Sequence, residues 1–396
     1  MRTALLTWDY PPAPSGLSTA AREIAESLVE AGADATVFTL DRTGRETRNG
    51  VTIIGCAIPD GSSLARLRLY GGIGHWAAPI AFRRAVLLEH GRNSFDVLEA
   101  TNWYAPASLL AGRAPFPTVT RNSTPAAFSR DPAKTARDRF DAWAADRLER
   151  QQARRSAALI SNTEDHGRRI TEEYGLKDGA KPHAVIGLSL SPEMLARASG
   201  ATYPAQDTAP VRLLFVGRAE HRKGFDTIME AVAILAAEHA QGGVPNFAID
   251  LAGVPAQDLP QGLSDAARQH LNPLGRISDE ALAHAYAAAH AILAPSRYES
   301  FGLVYQEGIA YGRPMIASNE DASAREFVGK TGAGRMAASN TGAALAEAIR
   351  PILQDAGMRE ALRAKALEAA GRFNRATLGQ ETLALYEEAL KAAQSR

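Results

Sequence analysis

Two glutamates eight positions apart, Glu299 and Glu307, are the residues whose type and spacing most strongly suggest chemistry. Glu299 follows a short apolar segment, so we expect it in the loop after a buried strand, with Glu307 in the next helix. A carboxylate can accept hydrogen bonds from two adjacent hydroxyls, as in a sugar or a ribose. Either glutamate alone would fit a solvated acid near a helix N-terminus. The pair, with Phe301 and Gly302 between them, predicts a polyhydroxylated ligand.

A second group of charged residues lies further upstream, between glycines. Arg218 and Lys223 are flanked by Gly217 and Gly224, where we expect a strand to turn into a helix. Glycines there let backbone N–H groups approach a phosphate, and the start of a helix favours an anion. Two cations in this place can neutralise a diphosphate without a metal. The alternative is a solvated basic turn. Because the chain has no Asp-x-Asp pair and no His-x-x-x-His, we expect no metal and no other cofactor.

Short apolar segments alternate with helical patterns, which predicts parallel strands joined by crossover helices. The predicted strands are Ala4–Trp8, Ala35–Leu40, Val51–Ile58, Phe95–Ala100, Pro117–Thr120, Ala157–Ser161, Val211–Val216, Phe247–Ala252, Ile292–Ala294 and Pro314–Ala317. The clearest helices are predicted at Ser18–Ala31, Asp226–His239 and Thr377–Ala392. A segment rich in glycine and proline, Ser199–Pro210, predicts a linker between two α/β halves. Ligands bind at the carboxyl ends of parallel strands, which is where both motifs fall.

The composition excludes several classes of protein. The chain has 396 residues, enough for two or three domains. Its 44 basic and 44 acidic residues give no net charge, which argues against a nucleic-acid partner. Cys56 is the only cysteine, so an intrachain disulfide is impossible and a reducing compartment is expected. No apolar segment approaches the roughly 20 residues of a membrane span. We therefore expect a cytoplasmic protein.

The motifs resemble those of a known family. The segment Y-E-S-F-G-L-V-Y-Q-E, with Glu299 and Glu307, resembles the E-x7-E signature of retaining glycosyltransferases of family 4, and Phe215–Gly224 is similar to their G-R-x-E-x-R-K-G segment. The loop Tyr10–Gly16 and the C-terminal segment from Phe373 are also similar to family 4.

This resemblance implies an α/β architecture, the GT-B fold. In that fold, two Rossmann-like domains have parallel sheets that face a central cleft, and a C-terminal helix crosses back to the first domain. An acceptor-binding domain is then expected at 1–200 with the helix 377–396, and a nucleotide-sugar-binding domain at 201–376.

The resemblance also implies roles for individual residues. Arg218 and Lys223 would bind the donor diphosphate and, with Glu299 on the donor sugar, form the catalytic set, while Glu307 would bind the ribose. The other donor-binding positions share a place in a loop or at a helix start: Gly16, Gly217, Arg276, Ile277, Phe301, Gly302 and Leu303.

Acceptor-side candidates lie in the first half of the chain. Aromatic rings stack on the C–H faces of sugars, so Tyr10, Trp103 and Tyr104, with Trp8, are candidates, and ordinary packing is the alternative. Ser123 stands where family 4 often has a histidine near the donor sugar. A second departure is Ala322-Ser323, where the family usually has Gly-Gly.

The sequence therefore predicts a retaining, metal-independent glycosyltransferase of the hexosyltransferase type. It would move a sugar from a UDP- or GDP-sugar to a hydroxyl of a glycan, lipid-linked or small-molecule acceptor, in polysaccharide or glycoconjugate biosynthesis. The alternatives are a sugar-nucleotide epimerase or phosphorylase of the same fold, and a non-catalytic sugar-binding protein. The basic segment 64–92 predicts either a solvated helix or a peripheral contact with the inner face of the membrane.

Overall fold

The computed structural model of the chain describes residues 1–13, 15–130, 132–177, 179–205, 209–372 and 374–394. The chain divides into two units, Met1–Ser189 with Phe373–Arg396, and Leu190–Arg372. Each unit has its own sheet and its own apolar core.

The sheet of the first unit has eight strands within the described residues, in the order β3-β4-β2-β1-β5-β6-β7-β8. The strands are β1 (Arg2–Thr7), β2 (Asp34–Thr39), β3 (Thr43–Arg48), β4 (Val51–Cys56), β5 (Val97–Thr101), β6 (Thr118–Arg121), β7 (Ala158–Ser161) and β8 (His183–Val185). All neighbours pair in parallel except β3 and β4, which are antiparallel. The six strands predicted here are present, and their ends lie within two residues of the predicted ones. Neither β3 nor β8 was predicted, because both lie at sheet edges and lack a buried apolar run.

Helices cover this sheet. They are α1 (Gly16–Glu30), α2 (Ser63–Leu67), α3 (Ala77–Arg92), α4 (Ala126–Ser129), α5 (Ala136–Arg155) and α6 (Glu164–Tyr174). Ser15 caps α1, since its side chain accepts a hydrogen bond from the N–H of Ser18 at 3.0 Å. Helix α5 starts with a capping box between Thr135 and Asp138.

The segment 64–92 is not one amphipathic helix. It comprises most of α2, a 3-10 helix at Arg68–Trp76, and α3. Helix α3 buries Phe82 and Val86 in the core, whereas the 3-10 helix leaves large apolar side chains exposed, with Leu69 71% accessible. Within the described residues, no helix is long and apolar enough to cross a bilayer.

The second unit contains a wholly parallel sheet in the order β11-β10-β9-β12-β13-β14. Its strands are β9 (Val211–Val216), β10 (Phe247–Ala252), β11 (Leu271–Gly275), β12 (Ala291–Ala294), β13 (Met315–Ser318) and β14 (Gly334–Ala337). The helices are α7 (Pro192–Ser199), α8 (Phe225–Ala240), α9 (Asp265–Arg268), α10 (Asp279–Ala288), α11 (Leu303–Ala310), α12 (Ala322–Ala324), α13 (Gly342–Gln354) and α14 (Ala356–Ala369). The unpredicted strands, β11 and β14, are again the two edges.

The boundary between the units differs from the predicted one. It falls after Ser189 rather than after residue 200, because α7 packs against α10 and α11 and so belongs to the second unit. The described part of the predicted linker is also tied to this unit. Arg313 donates to the carbonyl of Thr202 at 2.8 Å, and the Tyr203 hydroxyl donates to the carbonyl of His290 at 2.7 Å.

The C-terminal helix, α15 (Arg375–Gln394), belongs to the first unit, as the resemblance implied. Buried Arg375 contacts Glu23 at 2.7 Å and Glu26 at 2.6 Å, both on α1. Further along α15, the hydroxyl of buried Tyr386 donates to Glu99 of β5 at 2.7 Å. Phe373, which the resemblance included in this segment, lies outside the described residues.

Candidate active site

The first part of the site is the turn after β9. A 3-10 helix, His221–Lys223, leads into Gly224, which precedes α8. Gly224 has φ +70°, and a Cβ there would lie 2.1 Å from the carbonyl oxygen of Pro295. Only glycine permits this close approach, which brings the turn against the loop after β12. Strands β9 and β12 are parallel neighbours in the sheet, so the loops that follow them lie side by side at the carboxyl ends of the strands.

Glu299 lies in that second loop and is surrounded by donors. Lys223 Nζ lies 2.5 Å from its Oε1, Arg222 Nη1 lies 3.2 Å from its Oε2, and the Ser296 hydroxyl donates to Oε1 at 2.8 Å. The Glu299 side chain is 9% exposed. Burial alone would raise the pKa of this carboxyl, but the Lys223 and Arg222 cations outweigh burial and lower it. Glu299 is therefore an anion at neutral pH.

The backbone of Glu299 is held on both sides by the turn after β13. Its N–H donates to Asp321 Oδ1 at 3.0 Å, and its carbonyl accepts from the Ser323 hydroxyl at 2.9 Å. Asp321 also accepts from the Tyr305 hydroxyl at 2.7 Å. Burial, and then the charge of Glu299, raise the pKa of Asp321 to about 6. Ser323 stands in one of the two positions where family 4 usually has Gly-Gly, and here its hydroxyl bonds to the Glu299 backbone.

The start of α11 follows directly. Gly302 has φ +79°, and a Cβ there would lie 2.4 Å from the ring of Tyr305, so this position also requires glycine. The Phe301 ring is buried and packs edge-on against Phe327, with centroids 5.2 Å apart. Leu303 is the first residue of α11, and the first N–H groups of a helix have no partner within it. This turn can therefore donate backbone hydrogen bonds to a ligand.

Glu307 lies on α11, half-buried, and accepts a short hydrogen bond from the Tyr286 hydroxyl. Burial raises the pKa of Glu307, and the Tyr286 bond opposes that effect only in part. Arg276 is exposed and Ile277 half-buried in the loop after β11.

Arg218 is not part of the cluster around Glu299. Its side chain is 79% exposed and pairs with Glu220 at 2.7 Å. Gly217 directly follows β9 and precedes Arg218. The structure thus joins Lys223 to Glu299 and adds Arg222, which sequence reasoning missed. The signal for Arg222 was its place next to Lys223 in a basic turn.

The candidates in the first unit have different environments. Gly16 is exposed and begins α1, and a Cβ there would meet no atom within 4 Å. Tyr10 is only 1% exposed, so its ring is a core residue rather than an open stacking face. Trp103 and Tyr104 are half-buried and follow β5, with their ring centroids 4.9 Å apart.

Ser123 is held in a polar network after β6. Its backbone N–H donates to Asn102 Oδ1 at 2.7 Å, and its hydroxyl lies 3.0 Å from both Asn102 Oδ1 and Thr101 Oγ1. His166 Nε2 lies 3.3 Å from the Ser123 carbonyl oxygen. Burial lowers the pKa of His166 to about 4, so this imidazole is neutral at pH 7.

We expect Ser123→Ala to cost only about 1 kcal/mol of transition-state stabilisation, because it removes one neutral hydrogen-bonding group. Steady-state kinetics of the variant measure this cost, with a thermal melt as the control for folding. A loss of turnover beyond about a hundredfold in a folded variant would contradict the expectation and give the hydroxyl a catalytic role.

The whole chain resembles known glycosyltransferases. The family described as Glycosyl transferases group 1 matches residues 204–369, and the Glycosyl transferase 4-like domain matches residues 15–187. A D-inositol 3-phosphate glycosyltransferase of Geodermatophilus obscurus is 30% identical over 312 residues, covering 74% of this chain and 67% of the relative. The glycogen synthase of Mycobacterium tuberculosis is 28% identical over 385 residues, covering 90% and 86%.

The chain belongs to the glycosyltransferases of family 4 type. Its fold is GT-B. The solved sucrose-phosphate synthase of Thermosynechococcus elongatus superposes with a TM-score of 0.76 at 22% identity, covering 99% of this chain and 100% of that one. This glycosyltransferase is an enzyme of the hexosyltransferase type with a nucleotide sugar as donor. Its cluster of Glu299, Lys223 and Arg222 lies in the segment that matches Glycosyl transferases group 1.

Proposed function

We propose that this glycosyltransferase transfers a hexose from a UDP- or GDP-sugar to an acceptor hydroxyl with retention of configuration and without a metal ion. The observation that carries the proposal is the buried Glu299 carboxylate, which is paired with Lys223 and Arg222 at the carboxyl ends of β9 and β12. The biosynthesis of polysaccharides or glycoconjugates would use this reaction. A cytoplasmic location, with contact of the segment 64–92 to the inner face of the membrane, belongs to the same proposal.

In this mechanism Lys223, beside the start of α8, is in place before the donor binds and stabilises the negative charge that develops on the leaving diphosphate. Arg218 is exposed and paired with Glu220, so it adds a second cation only when it turns to the bound diphosphate. Glu299 accepts hydrogen bonds from hydroxyls of the donor sugar, and the turn at Gly302 and Leu303 donates backbone N–H groups. An oxygen of the departing phosphate takes the proton of the acceptor hydroxyl. The acceptor then attacks from the same face, which retains the configuration.

Glu307 would bind the ribose. Its half-buried carboxylate, oriented by the Tyr286 hydroxyl, can accept from two adjacent hydroxyls. A ribose contact exists in the ground state and in the transition state alike, so it contributes to nucleotide affinity rather than to turnover.

The test of the proposal is a thermal shift with UDP and with GDP, in EDTA and in Mg²⁺. A nucleotide at about 100 times its Kd stabilises the folded state by about 2.7 kcal/mol. We expect a shift with one nucleotide, unchanged by EDTA, and a much smaller shift in Glu307→Ala. Glu360→Ala, on the exposed surface of α14, is the matched control.

Two results would contradict the proposal. A wild-type enzyme that responds to neither nucleotide would favour a phosphorylase or a sugar-binding protein. Turnover that EDTA abolishes and Mg²⁺ restores would show that the diphosphate needs a metal.

A further inference from the structure

A cavity of about 770 Å³ lies within the first unit, and its lining includes none of the residues placed in the donor site. It is bounded by the ends of β1 and β5, by the 3-10 helix Arg68–Trp76 and by the start of α5. A volume of this order is typical of sites for small molecules.

One wall of the cavity is aromatic. Trp8 and Trp103 meet edge-on with centroids 6.0 Å apart, and Trp8 Nε1 donates to the carbonyl of Trp103 at 2.9 Å. Tyr104 packs edge-on against Trp103 and stacks on His75 at 5.1 Å. These rings are half-buried, so part of their surface faces the cavity. Such a wall suits the C–H face of a sugar ring.

The loop that carries this wall has a strained backbone. Tyr104 has φ +53° and Ala105 has φ +47°, in the left-handed region that residues other than glycine rarely adopt. Two buried side chains of α5 hold the loop. Glu149 accepts from the N–H of Tyr104 at 2.9 Å, and Gln152 accepts from the N–H of Ala107 at 2.8 Å. Backbone strain maintained by buried hydrogen bonds is a feature of ligand sites.

The lining of the cavity also carries cations. Among the described residues, the exposed side chains of Arg68 and Lys134 have no carboxylate partner. Two acids line the cavity as well: Asp138 caps α5, and the exposed side chain of Asp141 has an oxygen 3.1 Å from His75 Nε2. Two cations that have no carboxylate partner among the described residues, in the same lining as an aromatic wall, suit a ring that carries an anionic group.

We propose that this cavity binds the acceptor and that the acceptor is a sugar carrying a phosphate group. The sugar ring lies on the wall of Trp103 and Tyr104, and the phosphate contacts Arg68 and Lys134. This inference rests on the proposed function, since it assigns the acceptor of that reaction. The phosphate could belong to a free sugar phosphate or to the head group of a lipid.

Direct binding tests the assignment without relying on activity. Tryptophan fluorescence, to which Trp8 and Trp103 contribute, is titrated with glucose 6-phosphate, fructose 6-phosphate and mannose 6-phosphate, and with the three unphosphorylated hexoses. We expect at least one phosphate to bind about tenfold or more tightly than its hexose. The double variant Arg68→Ala/Lys134→Ala should lose this difference. Arg83→Ala, an exposed arginine of α3 outside the cavity, should keep it.

A second arm addresses a lipid source. The protein is sedimented with phosphatidylcholine vesicles that contain phosphatidylinositol, and with pure phosphatidylcholine vesicles. Binding to the first kind that the double variant loses and Arg83→Ala keeps supports the cavity with a lipid-borne phosphate, because Arg83 shares the segment 64–92 but does not line the cavity. The proposal is overturned if no sugar phosphate binds more tightly than its hexose and vesicle binding does not depend on Arg68 and Lys134. If UDP or GDP still shifts the melt in that case, the proposed function stands and only the acceptor assignment fails.

Discussion

Replacing Lys223 by alanine is expected to lower kcat/KM by about a hundredfold to a thousandfold, or roughly 3–4 kcal/mol, the cost of losing one preorganised electrostatic contact. Lys223 lies 2.5 Å from the buried Glu299 carboxylate and beside the start of α8, so it contributes to two parts of the site. In the proposed mechanism its removal takes a positive charge from beside the leaving diphosphate. It also leaves Glu299 with Arg222 as its one cationic partner among the described residues.

The loss should fall mainly on turnover. Lys223→Arg keeps a cation at the position and should recover part of the activity. Lys365→Ala, on the exposed surface of α14 where the side chain pairs with Glu368, should leave the kinetics unchanged. Thermal melts of all three variants separate catalytic loss from unfolding.

The pH profile gives an independent readout of the same variant. Burial raises the pKa of Glu299, and the Lys223 and Arg222 cations lower it below its usual value. Without Lys223 that pKa rises, so the acidic limb of kcat/KM should move to higher pH. A Lys223→Ala variant with wild-type kcat/KM, or with reduced activity that Lys365→Ala shares, would contradict this account of the diphosphate site.

The strands that carry the site could be predicted from sequence because they are buried on both faces. Val211–Val216 and Phe247–Ala252 are apolar apart from Arg212 and Asp250, and their predicted bounds are those that the structure has. The edge strands β3 and β11 were missed for the converse reason. All six residues of β3 are exposed, and β11 contains Asn272 and Pro273, so neither has an apolar run to recognise.

The chemistry of the site was predictable only where it is local in sequence. The Glu299–Glu307 spacing and the turn before α8 were visible as motifs. The sequence shows Ser323 only as a departure from the family pattern and gives no signal for Asp321, because their contacts with the Glu299 backbone join residues more than 20 positions apart. Arg222 and Arg218 could not be ranked from sequence either. Arg222 lies in the 3-10 turn, where its carbonyl accepts from the N–H of Arg297 in the loop after β12, whereas Arg218 precedes that turn.

The boundary between the units shows the same limit. Glycine and proline are typical of linkers, and the segment Ser199–Pro210 contains both. Its described residues nevertheless bond to the second unit through Arg313 and His290, which lie about 90 to 110 positions further on. Composition gives the local backbone tendency, and these distant partners decide which unit the segment joins.

Replacing Glu299 by glutamine is expected to lower kcat by about a hundredfold or more while leaving the Kd for free UDP or GDP nearly unchanged. Glutamine has the shape of glutamate but no charge, so it accepts weaker hydrogen bonds from the sugar hydroxyls. The clamp on the backbone at this position, from Asp321 and Ser323, does not depend on the side chain and should keep the loop in place.

Glu307→Gln provides the matched comparison, since it makes the same chemical change eight residues along the same segment. It should weaken the binding of the nucleotide while kcat at saturating donor stays close to that of the wild type. Isothermal titration with the free nucleotide and initial rates at varied donor concentration separate the two effects. If both variants lose the same affinity for the free nucleotide and keep the same kcat, then Glu299 binds the nucleotide rather than the sugar. The roles assigned here to the two glutamates would then be wrong, even though the fold, the ion pairs and the family would all stand.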